Sequence, residues 1–259
     1  MPSWIAELVR LDGSGPTFRT SAAFGVGRRL YGGLIAAQAL AAAGATVDPD
    51  RLPQSLHAYF IKGGRVGVDV EFAVANTRDG RSFNTRRVTA SQDGEAIFEM
   101  LASFHRAEPT LDWQRCEPPA LARAEATTPA ALPEKWADHF EAYVAPGSPS
   151  GWPLQPFWFR SREPVEEVPL LRACALTFIS DVGLVFAARP PGMNEPGPGG
   201  AATLDHAVWF HRPIDPRGWH YYDAMGVSHS DARGLSRGSI QDEHGTLVAS
   251  VAQESLWRI

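Results

Sequence analysis

The chain is poor in cysteine and carries no excess of positive charge. Its 259 residues include two cysteines, Cys116 and Cys174, and neither belongs to a CxxC pair. This spacing argues against a zinc site or a dithiol redox motif and favours two reduced thiols. The net charge is -5, so no global basic field would attract nucleic acid, although local arginines could still bind an anionic ligand. We predict no metal, no cofactor and no nucleic-acid partner.

A signal-peptide pattern is also missing, and the apolar run in the first repeat is short. The stretch "MPSWIAELVRLDGSG" lacks the basic region and the apolar core of a signal peptide. The apolar stretch "LIAAQALAAAGATV" is shorter than the ~20 residues that span a bilayer as a helix. These features predict a soluble cytoplasmic protein with no membrane span.

What the sequence does contain is a pattern of elements that occurs twice. Residues 31–46, "YGGLIAAQALAAAGAT", are apolar on nearly every side and predict a buried helix. Asp-Gly between alternating runs is a strong signal for a β-hairpin. Four strand-like segments follow the helix, separated in part by such turns; they begin near Ser55, Val68, Ser82 and Ala96.

The second half of the chain returns to the same order. An apolar, helix-compatible run at 169–188 precedes the strand-like segments "TLDHAVWFHRPI", "HYYDAMGVSHSDARG", "LSRGSIQDEHG" and "LVASVAQESLWRI". Residues 109–165 are rich in Pro, Ala and Glu and predict a long connection with some short helix, pinned at its end by "FWFR". We therefore predict two α+β repeats, 1–108 and 166–259, in a double hotdog: each repeat curls an antiparallel sheet round a central helix.

Several motifs resemble those of one known family. The stretches "YGGLIAAQAL", "SLHAYFIKGG", "FWFR", "ISD", "TLDHAVWFHRP" and "LVASVAQESLWR" occur in the order found in type II acyl-CoA thioesterases, the TesB-like enzymes. The resemblance covers nearly the whole chain and both repeats. It implies the double hotdog fold and the hydrolysis of acyl-CoA to a free acid and CoA without a metal. Acyl-CoA is then the expected partner.

The resemblance also carries over a catalytic trio. It corresponds to Asp181 of "ISD", Thr203 of "ATLDH" and Gln253 of "VAQES". A thioester is an activated acyl donor, so these side chains need only direct water and stabilise the oxyanion. Burial would raise the pKa of Asp181, as suits a general base. The first repeat offers Ser55 and either Ala102 or Ser103 at the matching places, so we expect one catalytic site per chain, in the second repeat.

Other residues compete for a role. Asp205 and His206 suggest a catalytic dyad, but strand alternation points them to opposite faces. His57 is a rough counterpart of His206 in the first repeat, which favours a structural imidazole held by backbone groups. The amides of Gly32 and Gly33 at a helix start could bind the substrate, or these glycines could serve close packing. Arg86 could meet the CoA phosphates, or it could lie on a solvated strand face.

Two other functions remain open from the sequence. A hotdog enoyl-CoA hydratase would want an Asp–His pair, and no histidine lies near Asp181 in the sequence. A non-catalytic acyl-CoA binding protein would keep the pocket without needing the trio. Exposed sheet edges or faces also predict a homo-oligomer.

Overall fold

The computed structural model describes residues 2–21, 25–26, 29–132, 134–148, 156–190, 192–193, 196–197 and 200–258. The helices are α1 Trp4–Leu8, α2 Gly32–Gly44, α3 Glu134–Ala137, α4 Pro169–Ser180 and α5 Leu184–Ala187, with a 3-10 turn at Arg123–Glu125. The strands of the first half are β1 Asp12–Ser14, β2 Thr17–Thr20, β3 Gly25–Val26, β4 Arg29–Leu30, β5 Arg51–Phe60, β6 Val70–Asp79, β7 Phe83–Gln92 and β8 Glu95–Arg106. The later strands are β9 Thr128–Pro129, β10 Phe140–Val144, β11 Phe157–Ser161, β12 Ala201–Thr203, β13 Asp205–Phe210, β14 His220–Ser230, β15 Arg233–Asp242 and β16 Leu247–Trp257.

The chain divides into two compact units. The first unit comprises Met1–Leu111, Glu166–Asp181 and Ala207–Phe210. The second comprises Asp112–Val165, Val182–His206 and His211–Ile259. The helix α4, which the sequence pattern assigns to the second repeat, thus lies with the first unit, and β13 is shared between the two.

The first unit is an antiparallel sheet with a buried helix. Its strands follow the order β1-β2-β6-β7-β8-β5, and α2 packs against β5, β6, β7 and β8. The predicted helix is confirmed: α2 begins at Gly32, and every residue from Gly33 to Ala43 is buried. The predicted hairpin at Asp93-Gly94 is also confirmed, since both residues have positive φ, 50° and 79°, as a type I′ turn requires.

The second unit repeats the antiparallel arrangement and extends it. Strands β16, β15 and β14 are neighbours, β12 pairs with β16, and β11, β10 and β9 continue beyond β14. The sequence predicts a long connection with some short helix; the connection contains short helix but also supplies strands β9, β10 and β11. Its aromatic side chains explain this, because Phe157, Trp158 and Phe159 are all buried on β11. The expectation that "FWFR" anchors the connection is confirmed.

The apolar run 169–188 is not one helix. Helix α4 ends at Ser180 with Asp181 as its C-cap, and Gly183 with φ of 82° precedes α5. A residue in the left-handed conformation stops the helix, and glycine adopts this conformation without steric cost. By length and composition alone Pro169–Ala187 could cross a membrane, but 61% of its most apolar window is buried inside the protein. Core helices of folded domains can be equally long and apolar. The length and composition of this segment therefore do not decide whether the chain has a membrane span.

Candidate active site

The carboxylate of Asp181 lies at the start of helix α2. Its Oδ2 accepts a hydrogen bond from the amide of Gly33 across 2.9 Å. The first amides of a helix lack intrahelical acceptors and carry partial positive charge, so they suit a carboxylate. Asp181 is the C-cap of α4, just before the break at Gly183, and from there its carboxylate reaches the Gly33 amide.

Burial governs the acidity of Asp181. The residue is 9% exposed, and desolvation raises its pKa from 3.8 to about 7, against the opposing effect of the Gly33 amide. A carboxylate with a pKa near 7 can accept a proton from water and still be ionised at neutral pH. Asp181 therefore has the acidity of a general base.

Close packing fixes the two helices that meet at Asp181. The hydroxyl of Tyr31 donates to the carbonyl oxygen of Phe178 across 2.7 Å, and the two rings pack edge to face at 5.0 Å. A Cβ on Gly32 would lie 2.7 Å from Oδ2 of Asp181, and one on Gly33 would clash with the Phe178 carbonyl oxygen. Any side chain at either glycine would thus displace the carboxylate or separate the helices.

The predicted roles of the two glycines change accordingly. The Gly33 amide donates to Asp181, so it positions the candidate base instead of holding a substrate carbonyl or phosphate. Gly32 provides the space that the Asp181 carboxylate occupies. The sequence predicts free amides for a substrate at this helix start, whereas in the structure the Gly33 amide donates to a side chain of the same chain.

Thr203 and Gln253 lie together in the second unit. The Gln253 Nε2 donates to Oγ1 of Thr203 across 3.1 Å and to Oγ of Ser255 across 3.2 Å. Gln253 is 1% exposed, whereas Thr203 at the end of β12 is half-buried. Because Thr203 accepts from Gln253, its own proton can be directed to another acceptor. The structure thus brings two members of the predicted trio into contact.

The side chains of Asp205 and His206 contact different partners, which argues against the alternative dyad that their adjacency suggests. Asp205 Oδ1 accepts from the backbone amide of Glu254 across 2.7 Å. His206 is buried, and its Nδ1 lies 2.9 Å from Oε1 of Gln253. The expected backbone-held imidazole therefore has a side-chain partner from the trio. Its presumed counterpart His57 is exposed and packs edge to face on Trp209 at 5.1 Å.

A sequence signal for the burial of His206 existed. His206 has the same parity as Val208 on β13, and Gln253 has the same parity as Val251 and Trp257 on β16, all of them buried. In a strand such residues share one face. The parity places both polar side chains on the inner face, where each needs a partner.

Arg86 is not available to CoA phosphates, which corrects the sequence-based assignment. It is 2% exposed. Its guanidinium donates to Thr46 Oγ1, to the carbonyl oxygens of Thr46, Arg78 and Thr85, and to the Asp79 carboxylate, at 2.7–3.1 Å. These contacts occupy all three guanidinium nitrogens. Arg86 has the same parity as the buried Val88 on β7, which is a sequence signal for burial, and it donates to internal backbone carbonyls.

The pentapeptide Gly234–Gly238, "GLSRG", matches the letters of the GxSxG nucleophile motif but not its structure. It lies inside strand β15, whereas a nucleophile elbow joins a strand to a helix. Ser236 is fully buried, and its Oγ lies 3.3 Å from the carbonyl oxygen of Gln253, to which it donates. This serine is a structural hydrogen-bond donor, so the segment gives no support to an α/β-hydrolase mechanism.

Comparison with known proteins identifies the family of the chain. The family model described as the acyl-CoA thioesterase N-terminal domain matches residues 20–105, and that of the C-terminal domain matches residues 103–257. Acyl-CoA thioesterase 2 of Haemophilus influenzae is 31% identical over 256 residues, which cover 89% of this chain and 88% of that protein.

Solved structures give the same result. An acyl-CoA thioesterase II, TesB2, from Mycobacterium marinum matches with a TM-score of 0.84 and 36% identity, over 98% of both chains. A hot dog fold protein from Alicyclobacillus acidocaldarius matches with a TM-score of 0.78 over 100% of this chain and 99% of that one; at 20% identity it shows the fold alone. The double hotdog prediction is confirmed, and the chain belongs to the acyl-CoA thioesterase family.

Proposed function

We propose that this acyl-CoA thioester hydrolase cleaves fatty acyl-CoA by an attack of water that Asp181, Thr203 and Gln253 direct. The water oxygen attacks the thioester carbonyl carbon while Asp181 takes one of its protons. The tetrahedral intermediate then expels the CoA thiolate, which gains a proton, and leaves the free acid. A thioester is reactive enough to need no covalent enzyme intermediate.

The observation that carries the proposal is the buried Asp181 carboxylate. The Gly33 amide holds one of its oxygens, and burial sets its pKa at about 7. A base must be fixed within hydrogen-bond reach of the proton it removes and must have a pKa near the working pH. Asp181 has the second property and a rigid attachment that favours the first.

In this proposal Thr203 supplies the polar contact to the same water, and Gln253 orients the Thr203 hydroxyl. The hydroxyl of Thr203 accepts from Gln253 Nε2 and donates its own proton to one lone pair of the water oxygen. The other lone pair is then directed at the thioester carbonyl carbon. Gln253 acts through Thr203, because both of its Nε2 protons already have hydroxyl acceptors in Thr203 and Ser255.

A product assay tests this function against the two alternatives. The purified chain is incubated with saturated and enoyl-CoA substrates of increasing chain length, and free thiol, free acid and hydroxyacyl-CoA are measured. We expect equal amounts of thiol and free acid from saturated substrates. Hydroxyacyl-CoA without thiol release would indicate a hydratase, and tight binding without any product would indicate a binding protein; either result overturns the proposal.

We further propose that the chain forms a homo-oligomer through outward sheet faces. On the first unit, Tyr59 is 62% exposed and Leu101 is 47% exposed on neighbouring strands, and on the second unit Met225 and Val227 are 55% and 51% exposed. Burying such side chains would be favourable, by roughly 25 cal/mol per Å². Light scattering coupled to size exclusion tests this, and a monomer at micromolar concentration contradicts it.

We also propose that the enzyme works in the cytoplasm. Cys116 and Cys174 are free thiols, and reducing compartments preserve that state. Cell fractionation with an activity readout tests the assignment. Recovery of the protein with membranes or in an oxidising compartment would overturn it.

A further inference from the structure

The imidazole of His206 is a buried group that the proposed reaction does not use directly. Its Nδ1 lies 2.9 Å from Oε1 of Gln253, and the residue is 1% exposed. A carboxamide oxygen can only accept, so Nδ1 must carry a proton. At the other end of the amide, Nε2 donates to Thr203 across 3.1 Å. Every donor in this chain of three side chains therefore points toward Thr203.

The direction of this chain decides what Thr203 can offer. If the Gln253 amide turned over, its oxygen would face Thr203 and would attract the hydroxyl proton. Thr203 would then present lone pairs to the water in place of a proton. The hydroxyls of Thr203 and Ser255 both accept and donate, so they tolerate either orientation of the amide. The imidazole N–H can only donate, so it is the partner that selects one orientation of the Gln253 amide.

We propose that His206 is a positioning residue: its Nδ1–H fixes the orientation of the Gln253 amide and so the direction in which Thr203 donates. This inference rests on the proposed function, because it requires Thr203 to act on the reacting water. Burial lowers the pKa of His206 to about 4, which keeps the imidazole neutral at pH 7. The neutral ring then needs the Nδ1–H tautomer, since Oε1 has no proton to give.

Two variants of equal size separate positioning from simple core packing. Asparagine can place an N–H close to the position of Nδ1, whereas leucine fills a similar volume without a donor. We expect His206→Asn to retain kcat within about threefold and His206→Leu to lower it by about 10- to 100-fold, with KM nearly unchanged. His220→Leu is the matched control, because His220 is equally buried but stacks on Phe159, and its kcat should stay unchanged.

A double-mutant cycle tests whether the effect passes through Thr203. In a Thr203→Val background the hydroxyl is gone, so His206→Leu should cause little further loss of kcat. If the two losses multiply, His206 acts elsewhere and the inference is wrong. The inference is also wrong if His206→Asn and His206→Leu lower kcat equally while circular dichroism shows that both variants remain folded.

A measurement without substrate reads the tautomer itself. Nitrogen-15 NMR of histidine-labelled protein at pH 7, with the His206 signal assigned by its loss in His206→Asn, should show the neutral Nδ1–H form. A neutral Nε2–H form would overturn the inference. Wild-type protein that releases no thiol would overturn the proposed function and the inference with it, whereas an active wild type with the wrong tautomer overturns the inference alone.

Discussion

Oδ2 of Asp181 and the amide nitrogen of Gly33 lie 2.9 Å apart, so the C-cap of one buried helix is held by the first turn of another. This bond joins two segments that are 148 residues apart in the sequence. The hydrogen bond from Gly33 favours the ionised carboxylate, whereas burial favours its protonated form. Most of the expected behaviour of the enzyme follows from this pair.

The rate of hydrolysis should rise with pH through the neutral range. Burial raises the pKa of Asp181 to about 7, and only the ionised carboxylate can accept a proton from water. We expect kcat/KM for a saturated acyl-CoA to increase with pH along a single ionisation with a midpoint near 7 and then level off. A pH series of initial rates measures this. A flat profile from pH 5 to 8 would show that Asp181 does not act as the base.

Because of the same burial, the ionised Asp181 carboxylate should destabilise the folded state at high pH. The folded state holds the Asp181 proton up to about pH 7, whereas the unfolded chain releases it near 3.8. Between these values the folded state binds more protons, so stability falls as pH rises. Asp181→Asn should therefore unfold at a higher temperature than wild type at pH 8. Its free energy of unfolding should exceed that of wild type by roughly 4 kcal/mol at most.

The stability difference between Asp181→Asn and wild type should also shrink toward pH 4, where both side chains are neutral. Asparagine keeps an oxygen that can accept from the Gly33 amide, so the helix contact is preserved. Thermal unfolding at several pH values provides the comparison. A variant that is less stable than wild type at pH 8 would contradict the account of the raised pKa.

A methyl group at Gly32 should disturb the base more than it disturbs the fold. The added Cβ would lie 2.7 Å from Asp181 Oδ2 and 3.0 Å from the ring of Phe60, so the carboxylate must move. Misplacing a catalytic group by about 1 Å can cost on the order of 100-fold in rate, so we expect Gly32→Ala to lower kcat by about 10- to 100-fold.

Gly63→Ala is the control for Gly32→Ala. Within the part of the chain that the structure describes, a Cβ on Gly63 meets nothing closer than the Arg29 side chain at 3.9 Å, and kcat should not change. Kinetics and thermal unfolding of both variants are compared. Full activity in Gly32→Ala would show that the position of the carboxylate is unimportant.

Removing Arg86 should weaken the fold and leave CoA recognition unchanged. Arg86→Met would leave three backbone carbonyl oxygens without their buried donor, which we expect to cost about 2–4 kcal/mol in the free energy of unfolding. The exposed neighbour Arg87 serves as control, and Arg87→Met should change stability by less than about 0.5 kcal/mol. A KM raised for acyl-CoA but not for the matching acyl-pantetheine would restore the phosphate role of Arg86.

The sequence predicts the repeated elements well because their apolar periodicity and Asp-Gly turns are local signals. Helix α2 and the hairpin at Asp93-Gly94 depend on neighbours in the chain, and both occur as expected. The break of the second apolar run at Gly183 is different, because a glycine in a run of this kind is compatible with either a continuous helix or a stop. Strands β10 and β11 were missed because proline and alanine dominate the connection and hide its short aromatic segments.

The candidate site shows the same division. The family resemblance singled out Asp181, Thr203 and Gln253, and the structure pairs the last two. The resemblance could not show that the Gly33 amide donates to Asp181, because that contact depends on where α4 ends and where α2 begins. The prediction for Arg86 is wrong because its charge suggests an anion site, whereas its parity with the buried Val88 places it on the inner face of β7. The sequence predicts backbone partners for the His206 imidazole, because its side-chain partner Gln253 lies 47 residues away on β16 and leaves no local signal.

The release of free CoA by wild type and by Asp181→Asn tests the central claim most directly. Both proteins are assayed at pH 8 on the same saturated acyl-CoA, at equal folded concentration. Loss of a general base lowers rates by about 10²- to 10⁴-fold, and we predict a loss of this size with little change in KM. Equal rates of CoA release from the two proteins would contradict the assignment of Asp181 as the group that directs water at the thioester.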